Sequence, residues 1–128
     1  MKQLLALLAI ALLTACAGQP ANQSARSVSA NGLTVTFALS PDPPKQGPVT
    51  LAVTVKNANA QPVTGARVRI ATNMPQMAMS GPTLTAKDNG DGTYATPLNL
   101  NYATTWHFRI DVAAAGKNMI LNVDEAVK

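Results

Sequence analysis

The chain has 128 residues, with ten Lys and Arg against six Asp and Glu, one histidine, one cysteine and 4% aromatic side chains. With a single cysteine no intramolecular disulfide can form, so stability must come from an apolar core of one small domain. The mild basic excess is scattered over positions such as Arg67, Arg69, Lys87, Arg109 and Lys117 with few aromatics between them, which does not support nucleic-acid binding.

The first segment is a leader. Lys2 supplies a positive start, and the apolar run Leu4 to Leu13 is too short to span a bilayer and of the right length for a signal peptide. It ends Leu13-Thr14-Ala15-Cys16, which resembles the lipobox of bacterial lipoproteins. The resemblance implies cleavage after residue 15 and lipidation at Cys16, so that the chain is anchored to a membrane without crossing it. The other reading is an ordinary signal peptide that leaves Cys16 as a free thiol, an odd feature for an exported protein. Ala17 stands where an aspartate would resemble the inner-membrane retention signal. The expected location is therefore the cell envelope, on the periplasmic face of the outer membrane in a two-membrane bacterium. The stretch 16–30 is small and polar and reads as a lipidated, flexible tether. The folded domain is expected over 31–128.

From Leu33 onward the pattern is all-β. Leu33 to Leu39, Leu51 to Val55, Arg67 to Ile70 and Trp106 to Val112 alternate apolar with polar or small residues at a period of two. Turn-forming clusters at 40–48, 57–62, 73–82 and 88–92 separate the runs. About seven short strands at this spacing indicate an immunoglobulin-like antiparallel sandwich, with Phe37, Val53, Ile70, Trp106 and Phe108 inside. The run Asp88-Asn89-Gly90-Asp91-Gly92-Thr93-Tyr94 looks like the D-G-D-G-T-Y motif of many immunoglobulin-like repeats. That likeness implies a Tyr94 hydroxyl bonded to backbone at a sheet corner. A calcium loop is the competing reading of the two aspartates, but the spacing lacks a distal glutamate and offers too few oxygens.

The segment Asn73-Met74-Pro75-Gln76-Met77-Ala78-Met79-Ser80-Gly81-Pro82 carries three of the five methionines. Two prolines exclude an ordinary core strand, so a turn-rich loop is expected there. Met77 and Met79 are two apart and would point to one side of an extended backbone, with Met74 converging from across Pro75. Neutral thioethers suit Cu(I), and His107 is the one histidine able to add a nitrogen. Its alternation with Trp106 and Phe108 also fits an exposed strand position. A set of Met, Met and His near a Trp is similar in chemistry to that of small periplasmic copper chaperones, although order and spacing differ. The alternative use of the methionines is mechanical: they fill gaps at the sandwich end or dock a protein partner, as flexible thioethers do.

The order Gly65-Ala66-Arg67-Val68, Met74-Pro75-Gln76-Met77-Ala78-Met79, Gly90-Asp91-Gly92-Thr93-Tyr94, Trp106-His107-Phe108 resembles the YtkA-like domain family, with FixH-like proteins as relatives. The M-P-x-M-x-M run is the most specific part, and Thr105 departs from the glycine often found before the Trp. The resemblance covers roughly Leu33 to Val123. It implies a small exported sandwich near copper-handling or oxidase-assembly functions, with copper as cofactor and an envelope protein of copper export or oxidase assembly as partner. No catalytic activity is expected. The single histidine has no nucleophile partner, the carboxylates show no paired spacing, and neither a phosphate loop nor HExxH or CxxC is present.

Overall fold

A computed structural model describes residues 26–128. The expected leader, Cys16 and most of the expected tether lie outside the described residues. Two antiparallel sheets face each other. One has the order β1 (Arg26–Ala30), β2 (Leu33–Ser40), β3 (Gly47–Asn57), β7 (Thr93–Leu100), β6 (Lys87–Asp88). The other has the order β5 (Met79–Thr85), β4 (Arg67–Met74), β8 (Thr105–Ala114), β9 (Lys117–Ala126). The all-β sandwich read from the sequence is what the chain forms.

The alternation in sequence becomes alternation in space. Leu33, Val35, Phe37 and Leu39 of β2 turn inward, as do Val68, Ile70, Thr72 and Met74 of β4 and Trp106, Phe108, Ile110 and Val112 of β8. All five expected core residues are buried. Phe37 and Phe108 meet across the sheets with ring centroids 5.3 Å apart and planes tilted by 40°, within the range of favourable aromatic pairs.

Three features differ from the sequence expectation. Nine strands form among the described residues instead of about seven, because two are short: β6 has two residues and β1 five. β1 also lies inside the stretch read as tether, so strand structure begins before the expected boundary at residue 31. Its one apolar residue of any size, Val28, gives no alternating signal. What accompanies its pairing is a ladder of hydroxyls, Ser27 with Thr36 at 3.1 Å and Ser29 with Thr34 at 2.8 Å. The third difference is β5, in the segment expected to be loop. Its one proline, Pro82, is tolerated because β5 is an edge strand and its ladder slips at Gly81-Pro82, where Asn73 faces Ser80 but Ala71 faces Thr83.

The expected corner is present. The Tyr94 hydroxyl donates to the Val63 carbonyl at 2.7 Å and accepts from the Ala66 N–H at 3.0 Å, tying β7 to the chain leading into β4. Gly92 before it has φ +87° and packs so tightly on Pro62 that a side chain would collide. The aspartates of this turn serve the turn itself. Asp88 accepts from the Gly65 and Gly90 N–H groups, and Asp91 accepts from Thr93. The Thr93 bonds hold the Asp91 carboxyl below its ordinary value.

Candidate functional site

The methionine segment is a hairpin at one end of the sandwich. β4 runs to Met74, a short 3-10 turn covers Pro75–Met77, and Ala78 adopts a left-handed conformation at φ 51° before β5 begins. Pro75 is suited to the first position of such a turn because its φ is already fixed. The Ala78 N–H donates to the Pro75 carbonyl at 3.2 Å. Gln76 is tied to the loop between β7 and β8, where the Thr104 hydroxyl donates to its Oε1 at 3.1 Å.

This geometry changes which methionines come together. Met77 and Met79 are not joined by extended backbone, because the left-handed Ala78 intervenes, so their spacing does not place them on one side. Instead, antiparallel register sets Met74 directly opposite Met79. Directly opposed residues share a face, with Cβ atoms roughly 4.5–5.5 Å apart. Met74 is 2% exposed and Met79 39%, so one thioether is rooted in the core and the other reaches outward from the edge strand. Met77, 40% exposed, sits on the turn beside them.

Both members of the pair line a cleft of about 470 Å³ between the edges of β5 and β7, together with Pro82, Leu98, Tyr102 and Trp106. Trp106 and Met74 share the rung that follows the Asn73–His107 pair. Its indole N–H donates to the Tyr102 carbonyl at 3.0 Å, which satisfies the one polar atom of a buried ring. Gly81 keeps the cleft in shape. A Cβ there would strike the Thr72 hydroxyl and press on the Trp106 ring. That hydroxyl donates to the Pro82 carbonyl at 2.7 Å, across the slip in the ladder.

His107 points the other way. Its neighbours Trp106 and Phe108 face the core, and it stands on the outer face in one row with Asn73 and Asp124. Its Nδ1 lies 2.6 Å from Asp124 Oδ1 and its Nε2 3.3 Å from Asn122 Oδ1. The structure therefore brings Met74 and Met79 together with Met77 beside them, and leaves His107 on the opposite side of the sheet. Among the described residues no group of three or more His, Cys, Asp or Glu side chains gathers. Cys16 lies outside the described residues.

Sequence reasoning did not anticipate three residues. Leu98 enters the cleft through the β3–β7 register and Tyr102 from the loop between β7 and β8, where its carbonyl takes the Trp106 N–H, and nothing local in the sequence announces either. Glu125 is the third. It is 7% exposed in β9, its Oε1 has no hydrogen-bond partner, and Arg26 is 4.0 Å away. Burial, only partly offset by Arg26, pushes its carboxyl up to about 7. The period-two pattern Val123-Asp124-Glu125-Ala126-Val127 carried that signal, because it places Glu125 on the core face.

A family model described as YtkA-like matches residues 27–111. No curated protein matches the chain. Among solved structures, the PmoD soluble domain from Methylocystis sp. ATCC 49242 (Rockwell) is similar at 11% identity and a TM-score of 0.55, over 80% of this chain and 96% of that one. An engineered protein is similar at 18% identity and a TM-score of 0.56, over 80% of this chain. The match spans 20% of that longer protein's length. At these identities the likeness concerns the fold.

Proposed function

The chain belongs to the YtkA-like family, and we propose that it is a lipid-anchored binding module of the cell envelope that binds or passes Cu(I) at its methionine hairpin. The observation that carries this reading is the register pairing of Met74 with Met79, with Met77 on the connecting turn. Three soft, neutral donors at one hairpin fit Cu(I) better than any hard or borderline ion. Met74 would be the fixed ligand, since its side chain is held in the core, while the exposed Met77 and Met79 would capture the ion and release it. Bound copper would supply a transferable soft cation, and the chain's own part is to present sulfur at an open edge. His107 is engaged with Asp124 on the outer face and is left out of the ligand set. The anchor would be the lipid on Cys16. The membrane is thus one partner, and an envelope protein of copper export or oxidase assembly would donate or accept the ion.

Anaerobic Cu(I) titration against a competing chelator tests the reading. The parent should withhold one ion from the chelator and the Met77→Leu/Met79→Leu variant should not. A parent that never competes would refute it.

A second reading has one observation in its favour. Met77, Met79 and Tyr102 are three of the four exposed large hydrophobic residues among those described, and all lie at this end. A structural lipoprotein that docks a protein partner there, without metal, would use the same surface. No catalytic role is part of either reading.

A further inference from the structure

The end of the sandwich that bears the methionine hairpin is also the end from which the chain enters the domain. β1 runs antiparallel to β2, with Arg26 opposite Phe37, three rungs from Ser40 at the hairpin end. The opposite end holds the β1–β2 and β8–β9 turns, where Gly32 lies against Lys117. The loops at the hairpin end are laced together. Gln46 N–H donates to the Lys128 carbonyl at 2.9 Å, Gln46 Nε2 to the Asn101 carbonyl at 2.8 Å, and Val127 N–H to the Thr104 carbonyl at 3.1 Å. On this laced end stand exposed Met77, Met79 and Tyr102. Exposed Lys45 and Lys128 accompany them. The other charged groups here are Asp42, Asp124, Arg26 and Glu125, and the last two lie 4.0 Å apart.

We propose that this end seats on the surface of the bilayer that anchors the chain, with Tyr102, Met77 and Met79 entering the interfacial layer. The inference rests on lipidation of Cys16. Cys16 precedes Arg26 by ten residues, which reach at most about 35 Å when fully extended. The far end of the sandwich is a further strand length away, roughly 30 Å for strands of this size. The hairpin end is therefore the end at which the anchored chain joins the domain, and the far end reaches the bilayer only with the tether almost fully extended alongside it. The chemistry of the hairpin end suits the bilayer surface: tyrosine is amphipathic and favours the headgroup level, and thioethers tolerate apolar contact. Lys45 and Lys128 match anionic headgroups.

Site-specific fluorescence on the full, lipidated chain tests this. Once Cys16 carries lipid, a new cysteine is the only thiol, so Met77→Cys and, at the far end, Ala58→Cys each take one polarity-sensitive label. Gln76→Cys is the second hairpin site should the first disturb folding. The vesicles are phosphatidylethanolamine with phosphatidylglycerol, carry a headgroup-region spin-labelled lipid and contain a copper chelator throughout. The label at the hairpin should shift to the blue and be quenched several-fold more than the label at position 58. Adding Tyr102→Ser with Met79→Gln should reduce that difference. A chain that carries fatty acid and floats with the vesicles, yet quenches equally at both positions, overturns the docking and leaves the anchor standing. A chain without fatty acid removes the anchor and the docking together. Shielding seen only in native envelopes, and not in pure lipid, overturns the proposal in favour of a protein partner.

Discussion

Met74 and Met79 stand opposite one another on the closing rung of the β4–β5 hairpin, the first 2% exposed and the second 39%. One sulfur-bearing side chain is held by the core and its partner is free to move. That asymmetry gives the two positions different sensitivities. Met77→Leu and Met79→Leu should each leave the apo melt almost unchanged and Met74→Leu should cost less than about 1.5 kcal/mol, since all three keep volume and apolarity. Met74→Ala should cost about 2–5 kcal/mol by leaving a cavity beside Trp106. Cu(I) retention should fail in the leucine variants even though they are folded, which thermal unfolding and chelator competition on the same samples would reveal.

The exclusion of His107 makes a separate forecast. Thioether sulfur carries no proton in the working range, so no proton competes with the ion. Cu(I) affinity should therefore be flat across neutral pH, and His107→Gln should not change it. A histidine ligand would instead weaken binding as pH falls through the usual imidazole value of about 6.5. Titrations at several pH values, on parent and variant, separate the two cases.

Gly81→Ala addresses the shape of the cleft. The added methyl would meet the Thr72 hydroxyl and the Trp106 ring, and the Thr72 bond to Pro82 would have to shift. Overpacking of this kind costs about 1–3 kcal/mol. Chemical denaturation should show that loss, with a change in Trp106 fluorescence in the folded state.

Tyr94→Phe should cost about 1–3 kcal/mol. It removes both hydrogen bonds of the corner and leaves the Val63 carbonyl and the Ala66 N–H to find other partners. Copper retention should be unaffected, since the corner lies away from the hairpin. Urea unfolding compared with chelator competition gives both numbers.

The corner was legible in the sequence because glycines, Thr93 and Tyr94 encode it locally. The two-sheet pattern was legible for the same reason, since Phe37, Val53, Ile70, Trp106 and Phe108 all sit in alternating runs. The hairpin was only half legible. The residues Met74, Met77 and Met79 could be named, but their pairing depends on a left-handed Ala78 and on a ladder slip at Gly81-Pro82. Neither has a signature that overrides the loop signal of two prolines. β1 was hidden because Ser27 and Ser29 pair through hydroxyls, in a composition that also describes a tether.

Glu125 gives the fold a pH dependence of definite sign. Burial raises its carboxyl from near 4.5 to about 7, so between those values the folded state holds a proton that the unfolded state has already lost. Stability contributed at this position is present below the lower value, declines as pH rises through the window and stays lost above about 7. Glu125→Gln should flatten that decline and should be more stable relative to the parent at pH 8 than at pH 4. Melting temperatures of both proteins across this range would check it, and a parallel decline in the two would contradict the assignment.

The claim that thioethers of this hairpin hold a soft ion is tested most directly by watching the methionine methyl groups. With ¹³C-methyl methionine and redox-inert Ag(I) standing in for Cu(I), NMR reads each thioether separately. Met119, buried at 5% exposure in β9, serves as the internal reference. Stoichiometric Ag(I) should move the Met74, Met77 and Met79 signals and leave Met119 in place. Signals that stay put at all four positions, or that drift together without saturating, would contradict a metal site at the hairpin.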